Sequence, residues 1–339
     1  MGYFKWPLMF AAVILAVLFA FTHNPLYVYQ AIVLGAVEIS MSFDNAVVNA
    51  AKLENMSHFW REAFLVVGLP IAVIGMRFLL PLVIVSVIGN TSISAAWQLA
   101  LHNQQKFADI LISAHASVAG FGGAFLLMTA LEYFLNGEKE TNWLSLIESN
   151  LVKLGKLEVD IQAGITLAVL FICYSFSHDL ALLFSGLAGI ATFIGAGALK
   201  EILTIIDERL GSAAGAVVKG GIGTLIYLEI LDASFSLDGV IAAFAISNDI
   251  FVVAAGLGIG ALFVRAMTIK LVESGTLSEL LYLENGAFWS ILTLSLFMFA
   301  SLFYEIPDYI VAGTSISLIG LATLHSLYLK KTASQPAVV

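Results

Sequence analysis

Residues 38–45 read Glu-Ile-Ser-Met-Ser-Phe-Asp-Asn, and this acid-bearing octet lies inside an otherwise apolar stretch from about residue 26 to 51. Residues 232–239 read Asp-Ala-Ser-Phe-Ser-Leu-Asp-Gly, the same acid-x-Ser-x-Ser-apolar-Asp pattern about 194 residues later, inside a second apolar stretch at about 222–247. Each copy is followed by a Gly-rich stretch with an Arg nine residues beyond a Gly, Gly68 to Arg77 and Gly256 to Arg265. An ionised acid near the middle of a bilayer costs roughly 2.5–3.5 kcal/mol even on the lenient insertion scale, so four imply about 10 kcal/mol to be offset. A bound cation, a proton or a buried Arg can supply that; lipid cannot. The repeated octet therefore belongs to the interior of a membrane protein.

Composition agrees. The 339 residues are 60% apolar and 12% charged, with a mean hydropathy of +0.96, whereas a soluble domain carries about 25% charged residues. The single Cys173 excludes a disulfide scaffold, and 15 Lys+Arg against 24 Asp+Glu argue against a nucleic-acid partner. Apolar stretches fall at about 7–22, 26–51, 62–88, 110–135, 161–177, 180–199, 222–247, 251–270, 286–304 and 308–329. With the N-terminus placed in the cytoplasm, twelve of the fifteen basic residues lie on the inner side: Lys5, Lys52, Arg61, Lys139, Lys153, Lys156, Lys200, Arg209, Lys219, Lys270, Lys330 and Lys331. Lys106 alone lies outside, and Arg77 and Arg265 fall within spans. That bias predicts about ten spans with both termini cytoplasmic, in a bacterial-type plasma membrane. No small-residue cleavage pattern follows Phe19-Ala20-Phe21-Thr22, so an uncleaved first helix is expected.

The expected fold is an all-α polytopic membrane protein of two inverted five-helix repeats. Five spans separate the equivalent helices, which places the two halves in opposite orientations, with the site at their interface. The division is residues 1–160, holding spans 1–4 and an inside loop, and residues 161–339, holding span 5 and the second half. The inside loops at about 136–160 and 198–221 are expected to carry short surface helices, the outside loop near 89–109 is polar, and the tail Thr332–Val339 reads as disordered.

On a helix, Glu38, Ser42, Asn45 and Asn49 fall within about 60° of one another, while Ser40 and Asp44 form a second stripe. The second copy repeats this with Asp232 and Ser236 against Ser234 and Asp238. Unwinding near Ser42–Asn45 and Ser236–Gly239 would let the carboxylates and freed carbonyls converge, as broken helices do where they line a cavity. Carboxylate, amide, hydroxyl and carbonyl oxygens are hard ligands suited to Mg²⁺, Ca²⁺ or Mn²⁺. The candidate metal-binding set is Glu38, Asp44, Asp232 and Asp238 with Asn45, Ser42 and Ser236. Arg77 could pair with a carboxylate once an ion leaves. Arg265, five residues from Lys270, reads as a snorkelling side chain or a gating group. Glu229 is an access-path acid or a helix end, and His178-Asp179 is a turn or a proton relay. His115 reads as a core histidine; Glu132 and His325 read as interfacial.

On Glu38-x5-Asp44-Asn45 and Asp232-x5-Asp238-Gly239, each followed by its Gly-rich span and Arg, the chain resembles the TerC family of the LysE-type transporter superfamily. The resemblance covers roughly 27–135 and 222–300. It implies export of Mn²⁺, with Glu38, Asp44, Asp232 and Asp238 as the metal site. Older naming ties the family to tellurium resistance, and some organellar relatives to membrane-protein insertion. Asp232 stands where Glu is commoner in the family, and Gly239 replaces a second Asn. No phosphate loop or dinucleotide fingerprint is present, so the expectation is a secondary transporter, not an enzyme, with no prosthetic group. Its expected partners are a divalent cation and the lipid bilayer, and a homo-oligomer is left open. The rival expectations are an exporter of amino acids or other small solutes, or an assembly factor without turnover. An intramembrane aspartyl protease lacks its Gly-x-Gly-Asp signature here.

Overall fold

The computed structural model describes residues 3–54, 56–139, 141–154, 159–214 and 221–333. In chain order it holds α1 (Lys5–Thr22), α2 (Pro25–Met41), α3 (Phe43–Glu54), α4 (His58–Val66), α5 (Gly68–Pro70), a π-helix (Ile71–Leu79), α6 (Leu80–Ile88), α7 (Ile93–His102), α8 (Gln104–Ser113) and α9 (His115–Leu135). It continues with α10 (Ser145–Leu154), α11 (Val159–Ser177), α12 (Leu180–Ala214), α13 (Ile222–Ile246), α14 (Ile250–Glu273), α15 (Thr276–Glu279), α16 (Leu283–Ala300) and α17 (Asp308–Ala333). Among the described residues seven helices are long and apolar enough to cross a membrane, and the bent pair α2–α3 makes an eighth if it is one span. The chain is an all-α polytopic membrane protein.

Each of the ten apolar stretches coincides with helix. Two fall outside the count of eight for physical reasons. The apolar part of α11, Ile161–Ser177, is short, and α13 carries Glu229, Asp232 and Asp238 within its 25 residues. Local chemistry sets several boundaries. Asn24 caps α2 by accepting from the Leu26 N–H at 3.0 Å, with Pro25 at its first position. Asp249 caps α14 through the N–H groups of Phe251 and Val252.

The expectations for the connecting segments need correction. The segment near 89–109, expected outside, is α7 and most of α8, each capped by a polar side chain, Ser92 and Asn103. It is tied to the start of α14 by Gln104 Nε2 donating to Asp249 at 2.9 Å and by Asn248 Nδ2 donating to Gln105 at 2.7 Å. A turn at Ala114 separates α8 from α9, so the fourth span begins at His115 instead of near 110. The segment at 136–160, expected inside, holds a short helix, α10, whereas α12 continues without a break through 198–214. Thr332 and Ala333 complete the last turn of α17. Residues 155–158, 215–220 and 334–339, on which parts of those expectations fall, lie outside the described residues.

At the centre, α9 is the most buried of the candidate spans and packs against α12 and α16. The two copies of the repeat meet where α2 lies along α14. A Cβ at Gly256 would stand 2.6 Å from the Leu34 Cβ and 2.8 Å from the Ala31 carbonyl oxygen, so that approach tolerates no side chain. The Gly256→Val variant is expected to lose about 1–3 kcal/mol through overpacking, read as a lower melting temperature in detergent. Gly313→Val, at an exposed site with no atom within 4 Å of the added carbon, is the control expected to melt like the parent protein.

Candidate functional site

The first octet is broken as expected. The chain bends by 53° between α2 and α3, with Ser42 at the joint in a non-helical conformation, φ −102° and ψ 18°. The main-chain ladder runs from the Ser42 N–H to the Glu38 carbonyl and resumes from the Ala46 N–H to the Ser42 carbonyl. Such a joint frees the last carbonyls of one helix and the first N–H groups of the next, and Asp44 sits in the first turn of α3, where a negative charge is favoured. The second octet corrects the expectation: α13 runs unbroken from Ile222 to Ile246. Its serines reinforce the helix, Ser234 donating to the Ile230 carbonyl at 2.9 Å and Ser236 to the Asp232 carbonyl at 2.9 Å.

The four acids are handled in different ways. Glu38 is buried and accepts from Arg77 Nη2 at 2.6 Å and from Ser42 Oγ at 3.3 Å. Arg77, also buried, stands in the π-helix and donates through Nη1 to the Ala72 carbonyl at 2.8 Å. Asp232 accepts from Asn45 Nδ2 at 2.6 Å, which ties the two octets together, and lies 3.5 Å from Arg265 Nη2. Asn49 donates in turn to Asn45 at 2.8 Å. Asp44 accepts from Ser290 on α16 at 2.8 Å and from Ser315 on α17 at 3.2 Å, besides the Asn45 N–H at 2.8 Å.

Arg265 does not snorkel. It is buried, donates to both oxygens of Glu229 at 3.1 and 3.0 Å and to the Phe64 carbonyl at 2.8 Å, and lies over the Phe64 ring. A Cβ at Gly68 would fall 2.1 Å from Glu229 Oε1 and 2.3 Å from Arg265 Nη1, so the bare backbone there makes room for this pair. Both Gly-to-Arg spacings thus deliver a guanidinium to the acids of their own copy. Buried ions lose several kcal/mol of hydration each, and only close pairing with satisfied hydrogen bonds offsets it.

Three cavities bracket the break. A small one, of about 20 Å³, is lined by Glu38, Ser42, Asp44, Asn45, Asp238 and Ser315 among others; it has room for one water or one ion. A second, of about 180 Å³, adjoins Asp238, His115, Ser301 and Asp308. The third, of about 540 Å³, is lined by Lys52, Glu54, Glu132, Lys139, Glu284 and Phe288. Asp232 and Ser236 are not among the groups lining the small cavity. Among the described residues no three His, Cys, Asp or Glu side chains converge closely enough to chelate a metal ion. The small cavity combines three carboxylates with amide and hydroxyl groups on its walls instead.

His178 and Asp179 form the turn between α11 and α12. His178 has φ 53°, and Asp179 accepts from the Ala181 N–H at 2.8 Å as a cap. His115 Nε2 meets Ser301 Oγ at 3.1 Å, Glu132 accepts from the Tyr227 hydroxyl at 3.2 Å, and His325 Nδ1 accepts from Trp143 at 3.1 Å. Sequence reasoning missed Ser290 and Ser315, isolated serines in apolar helices with no local pattern. It also missed Glu148 on α10. This fully buried acid accepts from Lys139, from the Leu144 N–H at 2.9 Å, and from Asn285 and Trp289 of α16 at 3.0 Å each. The helix it anchors thereby joins α16 one residue before Ser290, which holds Asp44.

The family model described as "Protein of unknown function (DUF475)" matches residues 43–333. The uncharacterized membrane protein YceF of Bacillus subtilis (strain 168) is 35% identical over 102 residues, which cover 28% of this chain and 39% of that protein. The match therefore spans about two fifths of the curated relative's length. No solved structure matches the chain.

Three variants test this geometry. Arg77→Leu strands Glu38 as an unpaired buried charge and is expected to cost about 3–5 kcal/mol; the double change Glu38→Gln with Arg77→Leu recovers much of that in thermal melts. For Glu148, burial pushes the carboxyl up, but donation from Lys139, the Leu144 N–H and Trp289 outweighs it and holds the pKa below the ordinary 4.5. A depressed folded-state pKa stabilises the fold above the unfolded value and is lost as pH falls through the folded one. The parent protein is therefore expected to lose melting temperature more steeply than Glu148→Gln between about pH 5 and about pH 3.

Proposed function

The chain belongs to the DUF475 family, and we propose that it is a secondary transporter moving a divalent cation, Mn²⁺ foremost, across the membrane by alternating access in exchange for protons. The observation that carries this reading is the ion-sized cavity at the α2–α3 break. Glu38, Asp44 and Asp238 supply carboxylates to its walls, with Asn45, Ser42 and Ser315 beside them. Oxygen donors of this kind suit a hard divalent cation, and the wall residues it shares with the larger cavity beside His115 suit a route and not a structural plug.

The acid–Arg pairs supply the exchange. Arg77 already neutralises Glu38 at 2.6 Å, so a cation entering beside Glu38 competes with an internal positive charge. When the cation leaves, the guanidinium takes its place and the buried carboxylate is never left bare. Protons compete for the same oxygens, which couples a proton gradient to metal movement. The unwound joint at Ser42 and the π-helix under Arg77 are both departures from regular helix of the kind that collects at functional sites. The choice of Mn²⁺ rests on the TerC resemblance of the two octets, and the direction of transport, outward from a plasma membrane with both termini cytoplasmic, on that resemblance and the distribution of basic residues.

The test is flux in proteoliposomes. Mn²⁺ uptake is expected to rise with an imposed pH gradient, to be inhibited more strongly by competing Mn²⁺ than by Ca²⁺ or Mg²⁺, and to fall about tenfold or more in Asp44→Asn and Asp238→Asn. Full flux in both variants overturns the site, and flux indifferent to the gradient overturns the proton exchange.

A further inference from the structure

The small cavity at the break and the wider one beside His115 share Asp238, Leu294 and Val311 on their walls. These side chains come from α13, α16 and α17, so the two spaces meet at side chains drawn from three helices. The opposite side is built differently. Along α3, Asn45 lines the small cavity and Ala51 lines the 540 Å³ cavity, six residues or about 9 Å apart on a helix. That interval is filled by buried Val47, Val48 and Asn49, the last bonded to Asn45.

We infer that Leu294 and Val311 form a gate between the site and the vestibule beside His115, and that a hydrated divalent cation reaches or leaves the site through it. This inference rests on the transport reading for the nature of the traveller. Apolar side chains that narrow a passage exclude water, and a charge crosses only when they part. The vestibule beyond is polar where a hydrated cation would need it: Ser301, His115 and Asp308 stand on its walls. Asp238 lies on both sides of the neck and is the group that hands the cation across. In the orientation set by the basic residues this vestibule opens outward, because it gathers the N-terminal ends of α9 and α17 while Lys52 and Lys139 line the cavity at the other end. On this reading the shared side chains close the vestibule side, and more than a helical turn of packed side chains closes the other.

Thiol labelling in a Cys173→Ser background tests the gate without relying on flux. A positively charged, membrane-impermeant thiol reagent is applied to each side of sealed vesicles in turn, to single variants Ala242→Cys, on the vestibule wall, and Ser42→Cys, on the site wall. Ala242→Cys is expected to react from the outer side, with Ser42→Cys slower by about an order of magnitude; adding Leu294→Ala or, separately, Val311→Ala raises the Ser42→Cys rate by about that factor. Retained Ala242→Cys reactivity in each alanine variant shows that the fold persists. An unchanged Ser42→Cys rate in both alanine variants overturns the gate, as does labelling of Ala242→Cys only from the cytoplasmic side. If the alanine variants speed labelling while Mn²⁺ flux is absent from the parent protein, the gate stands and the transport reading fails.

Discussion

A carboxylate in a hydrocarbon-spanning helix has to be compensated inside the protein, and the arrangement of this molecule follows from how that is done. Glu38 takes Arg77 at 2.6 Å; Glu229 and Asp232 share Arg265. Asp44 takes two hydroxyls from helices far along the chain and the Asn45 N–H in the first turn of the helix that starts beside it. Asp238 lines two cavities instead. Three ion pairs tie the acids of each copy to that copy's own Arg, one amide, Asn45, joins the copies through Asp232, and the uncommitted polar surface is left around a space the size of an ion. Replacing these acids with apolar residues would give a more easily folded bundle; keeping them makes sense only if the charge is used.

Much of this could be read before any coordinates. Apolar stretches and basic residues located the helices, because the bilayer imposes length and composition on every span. The duplicated octet located the candidate site, since acids in matching apolar contexts point to a common cause. The Gly-to-Arg spacing pointed at both guanidinium groups, although Arg265 looked like a side chain escaping to the interface. Its burial depends on Gly68 and the Phe64 ring, which lie about 200 residues away in sequence.

The partners of Asp44 and Glu148 could not be read. Ser290 and Ser315 are 246 and 271 residues from Asp44, and a lone serine in an apolar helix more often bonds its own backbone, as Ser234 and Ser236 do here. Glu148, in a charged surface segment, carries no mark that distinguishes it from its solvated neighbours. It is buried because Asn285 and Trp289 present donors at one face of α16 and Lys139 supplies the counter-charge. Long-range polar pairing leaves no periodicity, which is why these contacts were invisible while the helices were plain.

The two octets share a pattern yet only one breaks, and the reason lies in their surroundings. Breaking a helix frees polar backbone groups and changes the aim of every side chain beyond the joint, so it is tolerated only where partners wait. At the first copy they do: Ser290 and Ser315 meet Asp44, and Asn45 reaches across to Asp232. At the second copy the serines turn back onto the carbonyls of Ile230 and Asp232, and Gly239 has no side chain to reach the opposite octet. The straight helix keeps Asp232 against Arg265 and, six residues on, places Asp238 on the walls of both the small cavity and the one beside His115. The two copies supply four acids; the loss of symmetry gives them different surroundings, two held by arginine, one held by hydroxyls and one on the walls of two cavities.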